Sequence, residues 1–199
     1  MREVEIRALV PDPDAIQARL VDCGFEFLGF TNQRDIVIDK PDASLFNSGQ
    51  KIRIRLESGI AELTYKGAFE GSRDASRRKE INIAISPTQV DDVIEFLSSL
   101  GLAICFVFAK ARKRYARGDL TVNFDTWPII GCVMEIEGDE SEAKSLAREA
   151  VPGVEFGNFR LRDFFQQVEI ETGLSLRELQ TIYERRHGTS LGRLDLLMR

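Results

Sequence analysis

Glu3, Glu5 and Arg7 stand at alternate positions near the start of the sequence, with Val4, Ile6 and Ala8 between them. Successive side chains of a strand point to opposite faces, so a strand here carries two carboxylates and a guanidinium on one face and apolar groups on the other. The same pattern returns along most of the chain. Lys51, Arg53, Arg55 and Glu57 alternate with Ile52, Ile54 and Leu56, and Glu62, Thr64 and Lys66 with Leu63 and Tyr65. Arg78, Glu80 and Asn82 follow, then Lys110, Arg112 and Arg114, then Asn123 and Asp125, then Glu135 and Glu137. Clustered carboxylates suit hard divalent cations, which prefer oxygen ligands. Clustered Arg and Lys suit phosphate oxygens, two of which one guanidinium can grip at once. A metal-bound polyphosphate satisfies both sets, and such groups can stabilise charge during phosphoryl transfer.

The elements that must position these groups are strands at about 2–10, 34–39, 50–57, 61–67, 78–85, 104–116, 119–126 and 132–138. Gly59 and the run Arg117-Gly118-Asp119 mark hairpin turns. Amphipathic patterns predict helices at about 13–23, with Ile16, Leu20 and Val21 on one side, and after Ser86-Pro87, with Val90, Val93, Ile94, Leu97 and Leu100 inward. Further helices are expected over 140–150 and 161–170. Ser175 and Glu178 form a capping-box pattern for another, running to about His187, and 191–198 is a last candidate. Gly67 to Ser76 reads as a polar loop.

This order predicts an α+β fold: a closed or nearly closed eight-stranded antiparallel β-barrel, helices packed outside, and a helical C-terminal extension. The domain division is 1–173 for the barrel and 174–199 for the extension. Solvated sheet faces laced with ion pairs are the plain alternative for any single strand. For all of them together that reading weakens, because exposed ion pairs stabilise little and enclosed charges are costly unless paired or bound to ions.

The 199 residues are 43% hydrophobic and 30% charged, with a net charge of −5, which argues against a nucleic-acid-wrapping protein. No apolar run approaches a membrane span, and the N-terminal residues lack a signal-peptide layout. Cys23, Cys105 and Cys132 are odd in number and far apart; they fit a reducing compartment without disulfides, and a cytoplasmic location is expected.

Glu3-x-Glu5-x-Arg7 resembles the N-terminal Glu-x-Glu-x-Lys motif of the CYTH superfamily of class IV adenylyl cyclases, thiamine triphosphatases and inorganic triphosphatases. The resemblance continues through Gln33-Arg-Asp-Ile-Val-Ile-Asp39, Ile52-Arg-Ile-Arg55, Leu63-Thr-Tyr-Lys-Gly67, Arg78-Lys-Glu80, Lys110-Ala-Arg112, Asn123-Phe-Asp125 and Gly131-Cys-Val-Met-Glu-Ile-Glu137. It implies a triphosphate tunnel working with Mg²⁺ or Mn²⁺. By position, Glu3, Glu5, Asp125, Glu135 and Glu137 are the expected metal-binding acids. Arg7, Arg53, Arg55, Lys66, Arg78, Lys110 and Arg112 are the expected phosphate-binding bases, with Lys66, Arg112 and Asp125 in the catalytic role.

Arg7 stands where the family usually has Lys, and a guanidinium can hold phosphate but cannot act as a base. The residues from Leu174 onward exceed the core fold, and their amphipathic character allows a helical cap, a homodimer contact or plain surface packing. The lone histidine, His187, reads as solvated, and Trp127 reads as a rim residue that could stack on a base. The expected partner is a triphosphate-containing small molecule (ATP, tripolyphosphate or thiamine triphosphate), with no nucleic acid and no membrane. Hydrolysis is favoured as the demand on fewer special residues. Cyclisation of ATP to cyclic AMP and pyrophosphate is the alternative, and a non-catalytic polyphosphate or nucleotide binder is a third reading.

Overall fold

The structure, a computed structural model, describes residues 5–68, 79–157, 159 and 161–188. In chain order it comprises β1 (Glu5–Leu9), α1 (Pro13–Asp22), β2 (Glu26–Asp39), α2 (Ser44–Asn47), β3 (Lys51–Glu57), β4 (Ile60–Lys66) and β5 (Glu80–Ile85). A 3-10 turn (Pro87–Gln89) leads into α3 (Val90–Ser99), followed by β6 (Ala103–Arg117), β7 (Leu120–Trp127), β8 (Gly131–Glu137), α4 (Glu140–Ala150), α5 (Leu161–Thr172) and α6 (Leu176–His187). The helix expected at 191–198 lies outside the described residues.

Local chemistry sets most of these boundaries. Asp12 caps α1 by accepting from the Ala15 amide at 3.0 Å, with Pro13 in the first turn. Ser175 and Glu178 form the expected capping box of α6, and Gly188 ends that helix in the left-handed region at φ 62°. Between β3 and β4 only Ser58 and Gly59 intervene, both at positive φ, which matches the right-handed twist of a two-residue hairpin. The largest departure from the sequence reading is β2, which begins at Glu26 rather than near residue 34. Its first half has no clean alternation, and a register shift between Phe27 and Gly29 interrupts its pairing with β6.

All eight strands form one antiparallel sheet in the order β1-β8-β7-β6-β2-β3-β4-β5. Among the described residues no hydrogen-bonded ladder joins β1 to β5, so the sheet is not closed by hydrogen bonds; part of the open edge of β1 is bridged by Gly157, whose carbonyl accepts from the Arg7 amide at 2.8 Å. The sheet is nevertheless strongly curled. The Lys66 charge on β4 reaches the Glu135 carboxylate on β8, although five strand spacings of about 4.8 Å would hold them roughly 24 Å apart in a flat sheet.

The convex side is apolar and covered by helices. Ile6, Val122, Phe124, Met134 and Ile136 pack under Ile16 and Leu20 of α1 and Leu146 and Ala147 of α4. Ile36, Ile38 and Ile54 pack under Val90 and Leu97 of α3. Val21 and Leu100, expected on the buried sides of their helices, are 55% and 64% exposed; Val21 lies in the last turn of α1 and Leu100 follows the last residue of α3.

The concave side has two zones, which the sequence reading did not separate. One carries the charged residues. The other carries Val37, Phe106, Phe108 and Val133, packed against Phe164 and Phe165 of α5 and Leu176 of α6. Among the described residues no helix is long and apolar enough to cross a membrane.

Candidate functional site

The charged zone follows from register. Glu5 stands opposite Glu137 and Arg7 opposite Glu135 across the β1–β8 ladder, and Asn123 lies opposite Glu135 on the other side of β8. Arg112 faces Asp125 across β6–β7, while Asp35 faces Arg55 across β2–β3. Each pair belongs to the concave face; Arg7–Glu135, Arg112–Asp125 and Asp35–Arg55 meet as cross-strand ion pairs, whereas Glu5 and Glu137 are like charges that take Arg7 and Asn123 as their partners.

One wall, built from β1, β8, β7 and β6, is organised around two guanidinium groups. Arg7 donates from Nε to Glu135 Oε1 at 2.9 Å and from Nη1 to the Phe159 carbonyl at 3.3 Å, and its Nη2 pairs with Glu5. Arg112 grips Asp125 with two bonds of 2.6 Å and reaches Glu135 Oε2, also at 2.6 Å. Asp125 is fully buried and also holds the Lys110 ammonium, which lies 4.7 Å from the centre of the Trp127 ring. Asn123 donates to Glu137 at 3.2 Å and accepts from Arg114 at 3.2 Å.

The opposite wall, from β2, β3, β4 and β5, is built around Asp35. Arg55 donates to both Asp35 oxygens at 2.7 Å. Arg53 lies 3.5 Å from Asp35 and donates to Thr64 Oγ1 at 3.3 Å. Lys66 pairs with Glu80 at 2.8 Å, and Gln33 donates to Glu57 at 3.0 Å.

Enclosure shifts the ionisation of these groups. Burial pushes the Glu135 carboxyl up, but the surrounding Arg7, Arg112, Lys110 and Lys66 charges outweigh it and hold it well below the usual carboxylate range. Burial likewise opposes ionisation of Asp35, and the Arg55 hydrogen bonds with the Arg53 charge overcome it. Lys110 is pushed down to about 8 by burial, which Asp125 only partly offsets. Arg112 is raised: burial works against its charge, and Glu135 and Asp125 more than compensate. Cys132 is pushed up to about 12 by burial, an inert thiol.

Of the residues singled out by sequence, Glu5, Arg7, Arg53, Arg55, Lys66, Lys110, Arg112, Asp125, Glu135 and Glu137 all fall on this face. Glu3 and Arg78 lie outside the described residues. Trp127 is the last residue of β7, partly buried, with its ring 4.7 Å from that of Phe108 and packed against the apolar zone. His187 is exposed and stacks on Tyr183 at 4.3 Å. Two interior groups had been given no part in the site, Asp35 and Gln33, each 1% exposed. Both share the odd-numbered parity of β2 with the concave side; Gln33 precedes the strand expected at 34–39, and Asp35 lies inside it but beside the apolar run Ile36-Val37-Ile38, which shows no alternation.

Glu5, Glu135 and Glu137 offer only carboxylate oxygens, a donor set that fits a hard divalent cation. Glu5 and Glu135 already share one cation, the Arg7 guanidinium. Among the described residues no three acids converge on a point in this arrangement, since Arg7 and Arg112 stand between them.

The fold is a curled, open antiparallel sheet with both signs of charge on its concave face. The sequence pattern of the CYTH domain family matches residues 1–152, and the chain belongs to that family. It is 27% identical over 142 residues, 71% of this chain and 79% of the other, to a Methanocaldococcus jannaschii protein named "Putative adenylate cyclase MJ0240". The fold is similar to that of PH1819 from Pyrococcus horikoshii OT3, with a TM-score of 0.66 and 25% identity over 85% of this chain and 99% of that one. It is also similar to the "Putative adenylyl cyclase HpAC1" from Hippeastrum, a protein with a dominant triphosphatase activity, with a TM-score of 0.64 and 19% identity over 90% and 99% of the two chains.

Proposed function

We propose that this protein is a metal-dependent enzyme acting on triphosphates, with hydrolysis of an inorganic or organic triphosphate as its reaction. The observation that carries the reading is the set of bases on the two walls, Arg7, Lys110 and Arg112 on one and Arg53, Arg55 and Lys66 on the other, interleaved with Glu5, Asp35, Asp125, Glu135 and Glu137. A polyanion longer than one phosphate can engage bases on both walls at once, and only such a ligand uses all of them. Glu5, Glu135 and Glu137, with Glu3 from the sequence motif, would hold Mg²⁺ or Mn²⁺. That cation, when bound, supplies a Lewis acid and a polarised water.

The chain's own residues have separable tasks in this scheme. Arg53, Arg55 and Lys66 hold phosphate oxygens from one side, and Arg7, Lys110 and Arg112 from the other. Asp125 fixes the Arg112 fork through two bonds and so sets the direction of its remaining donors. Arg7 binds and orients but takes no proton, because a guanidinium stays charged at any working pH. The zone of Phe106, Phe108 and Val133 excludes water from one side of the charged groups, which strengthens every interaction among them. The segment from residue 174 acts as a cap on that apolar zone, to which Leu176 and Tyr183 contribute.

The name of the Methanocaldococcus relative supports a second reading, cyclisation of ATP. Hydrolysis is preferred because it needs only phosphate and metal sites, which this face supplies. Incubation with Mn²⁺ or Mg²⁺ and ATP, tripolyphosphate or thiamine triphosphate separates the two. Orthophosphate release is the expected product, cyclic AMP with pyrophosphate would establish the cyclase, and no turnover of any of them would leave only a binder.

A further inference from the structure

Asp35 is a buried acid on the concave face whose place among phosphate-assigned bases makes its presence costly. It stands at the centre of the β2–β3 wall, between Arg53 and Arg55, the two arginines that this reading assigns to phosphate. A carboxylate in such a place weakens the attraction of the wall for any anion. Its geometry accounts for its presence. It is 1% exposed and directly opposite Arg55 in register, with Phe108 as its neighbour on β6. Its two oxygens take Nε and Nη2 of Arg55 at 2.7 Å each, an in-plane fork that fixes the guanidinium's rotation. The second oxygen also lies 3.5 Å from Arg53 Nη1. The like charges of Arg53 and Arg55 oppose one another, and the carboxylate between them relieves that repulsion. Arg53 keeps a buried Nε with no partner, and the Nη1 end of Arg55 lies outside the fork.

We infer that Asp35 is a positioning residue that holds Arg55, and secondarily Arg53, in the orientation that receives the triphosphate. This role rests on the triphosphate reading above. It differs from that of Asp39, four residues on, whose oxygens accept from the amides of Lys40, Leu45 and Phe46 and so serve α2. It also differs from that of a mere counter-charge, and the two make opposite predictions. Removing a counter-charge from an anion site tightens anion binding, whereas removing a positioning group loosens it.

The test is calorimetric binding of tripolyphosphate in the presence of EDTA, so that no metal enters. Wild type, D35N, D35E, R55K and D35N/R55K are compared, with circular dichroism and melting curves to confirm folding. D35N is expected to weaken binding about tenfold, the scale of one lost charge-assisted hydrogen-bond pair. D35E keeps the charge and displaces it by one methylene, so its expected loss of several-fold reports geometry alone; it also stands in should D35N not fold. In the R55K background, where no fork can form, D35N is expected to change affinity by less than about twofold. Equal or tighter binding by D35N, unchanged binding by D35E, or a full tenfold loss in the R55K background would each overturn the role. Failure of the wild type to bind tripolyphosphate in EDTA would overturn the inference, and failure to bind it with Mg²⁺ present as well would sink the triphosphate reading itself.

Discussion

Replacing Asp125 with alanine gives the sharpest test of how the interior charges are held. The carboxylate is fully buried and partners two cations, Arg112 through two 2.6 Å bonds and Lys110 through one further contact. Breaking a buried pair by removing one member costs about 3–5 kcal/mol, because a charge is left uncompensated. Two features of this site pull the figure to the lower end. Lys110 already lies at about 8, so without Asp125 it can shed its proton near neutral pH instead of staying charged. Arg112 cannot do so, yet it retains Glu135 at 2.6 Å. The expected loss is therefore about 3 kcal/mol, which for a chain of this size lowers the melting temperature by roughly 6–12 °C. Thermal melts and urea titrations at pH 7 measure it. Metal-free tripolyphosphate should raise the melting temperature of D125A more than that of the wild type, because its oxygens replace the missing carboxylate while Glu135 still orients Arg112. A loss below about 1 kcal/mol, or an equal tripolyphosphate shift in both proteins, would refute the reasoning.

Three further outcomes follow from the same structure. The ratio kcat/KM for tripolyphosphate should fall as pH rises through about 8, where burial places the Lys110 ammonium, and K110R should move that fall to higher pH; a pH–rate profile of the two proteins checks it. Asp35 has a folded pKa depressed below its unfolded value of about 3.9, so its stabilisation is complete above about pH 4 and lost as pH falls further; D35N should flatten the acid limb of a stability-versus-pH curve. Phe164→Ala empties a position 3% exposed in the apolar zone of the concave face, and urea unfolding should show a loss of about 3–5 kcal/mol.

Much of this arrangement was legible in the sequence because a strand writes its two faces alternately. The runs Arg53-Ile54-Arg55, Lys110-Ala111-Arg112 and Glu135-Ile136-Glu137 each assign their own sides, and the hairpin residues Ser58, Gly59 and Gly118 fix which strands meet. Reading failed where alternation is interrupted. The register shift between Phe27 and Gly29 hid the first half of β2, and the unbroken apolar run Ile36-Val37-Ile38 gave no alternation by which to assign Asp35 to a face. The apolar zone of the concave face escaped for a different reason. Phe106 and Phe108 continue the same side of β6 as Lys110 and Arg112, so a polar side turns apolar within one strand, and only the packing of α5 and α6 explains the change. Pairings such as Arg7 with both Glu5 and Glu135 depend on the β1–β8 register, which no local pattern encodes.

If the proposed triphosphate reaction holds, the pairing of concave-face bases with concave-face acids has a consequence for turnover. Before any ligand arrives, Arg55, Arg112, Lys110, Arg7 and Lys66 already rest on Asp35, Asp125, Glu135, Glu5 and Glu80. An incoming polyphosphate exchanges one set of anionic partners for another, without having to strip water from bare cations. The exchange runs equally well backwards. On the hydrolytic reading proposed above, shortening of the phosphate chain lets the resident carboxylates reclaim the bases, so that the product leaves by ion exchange with the interior itself.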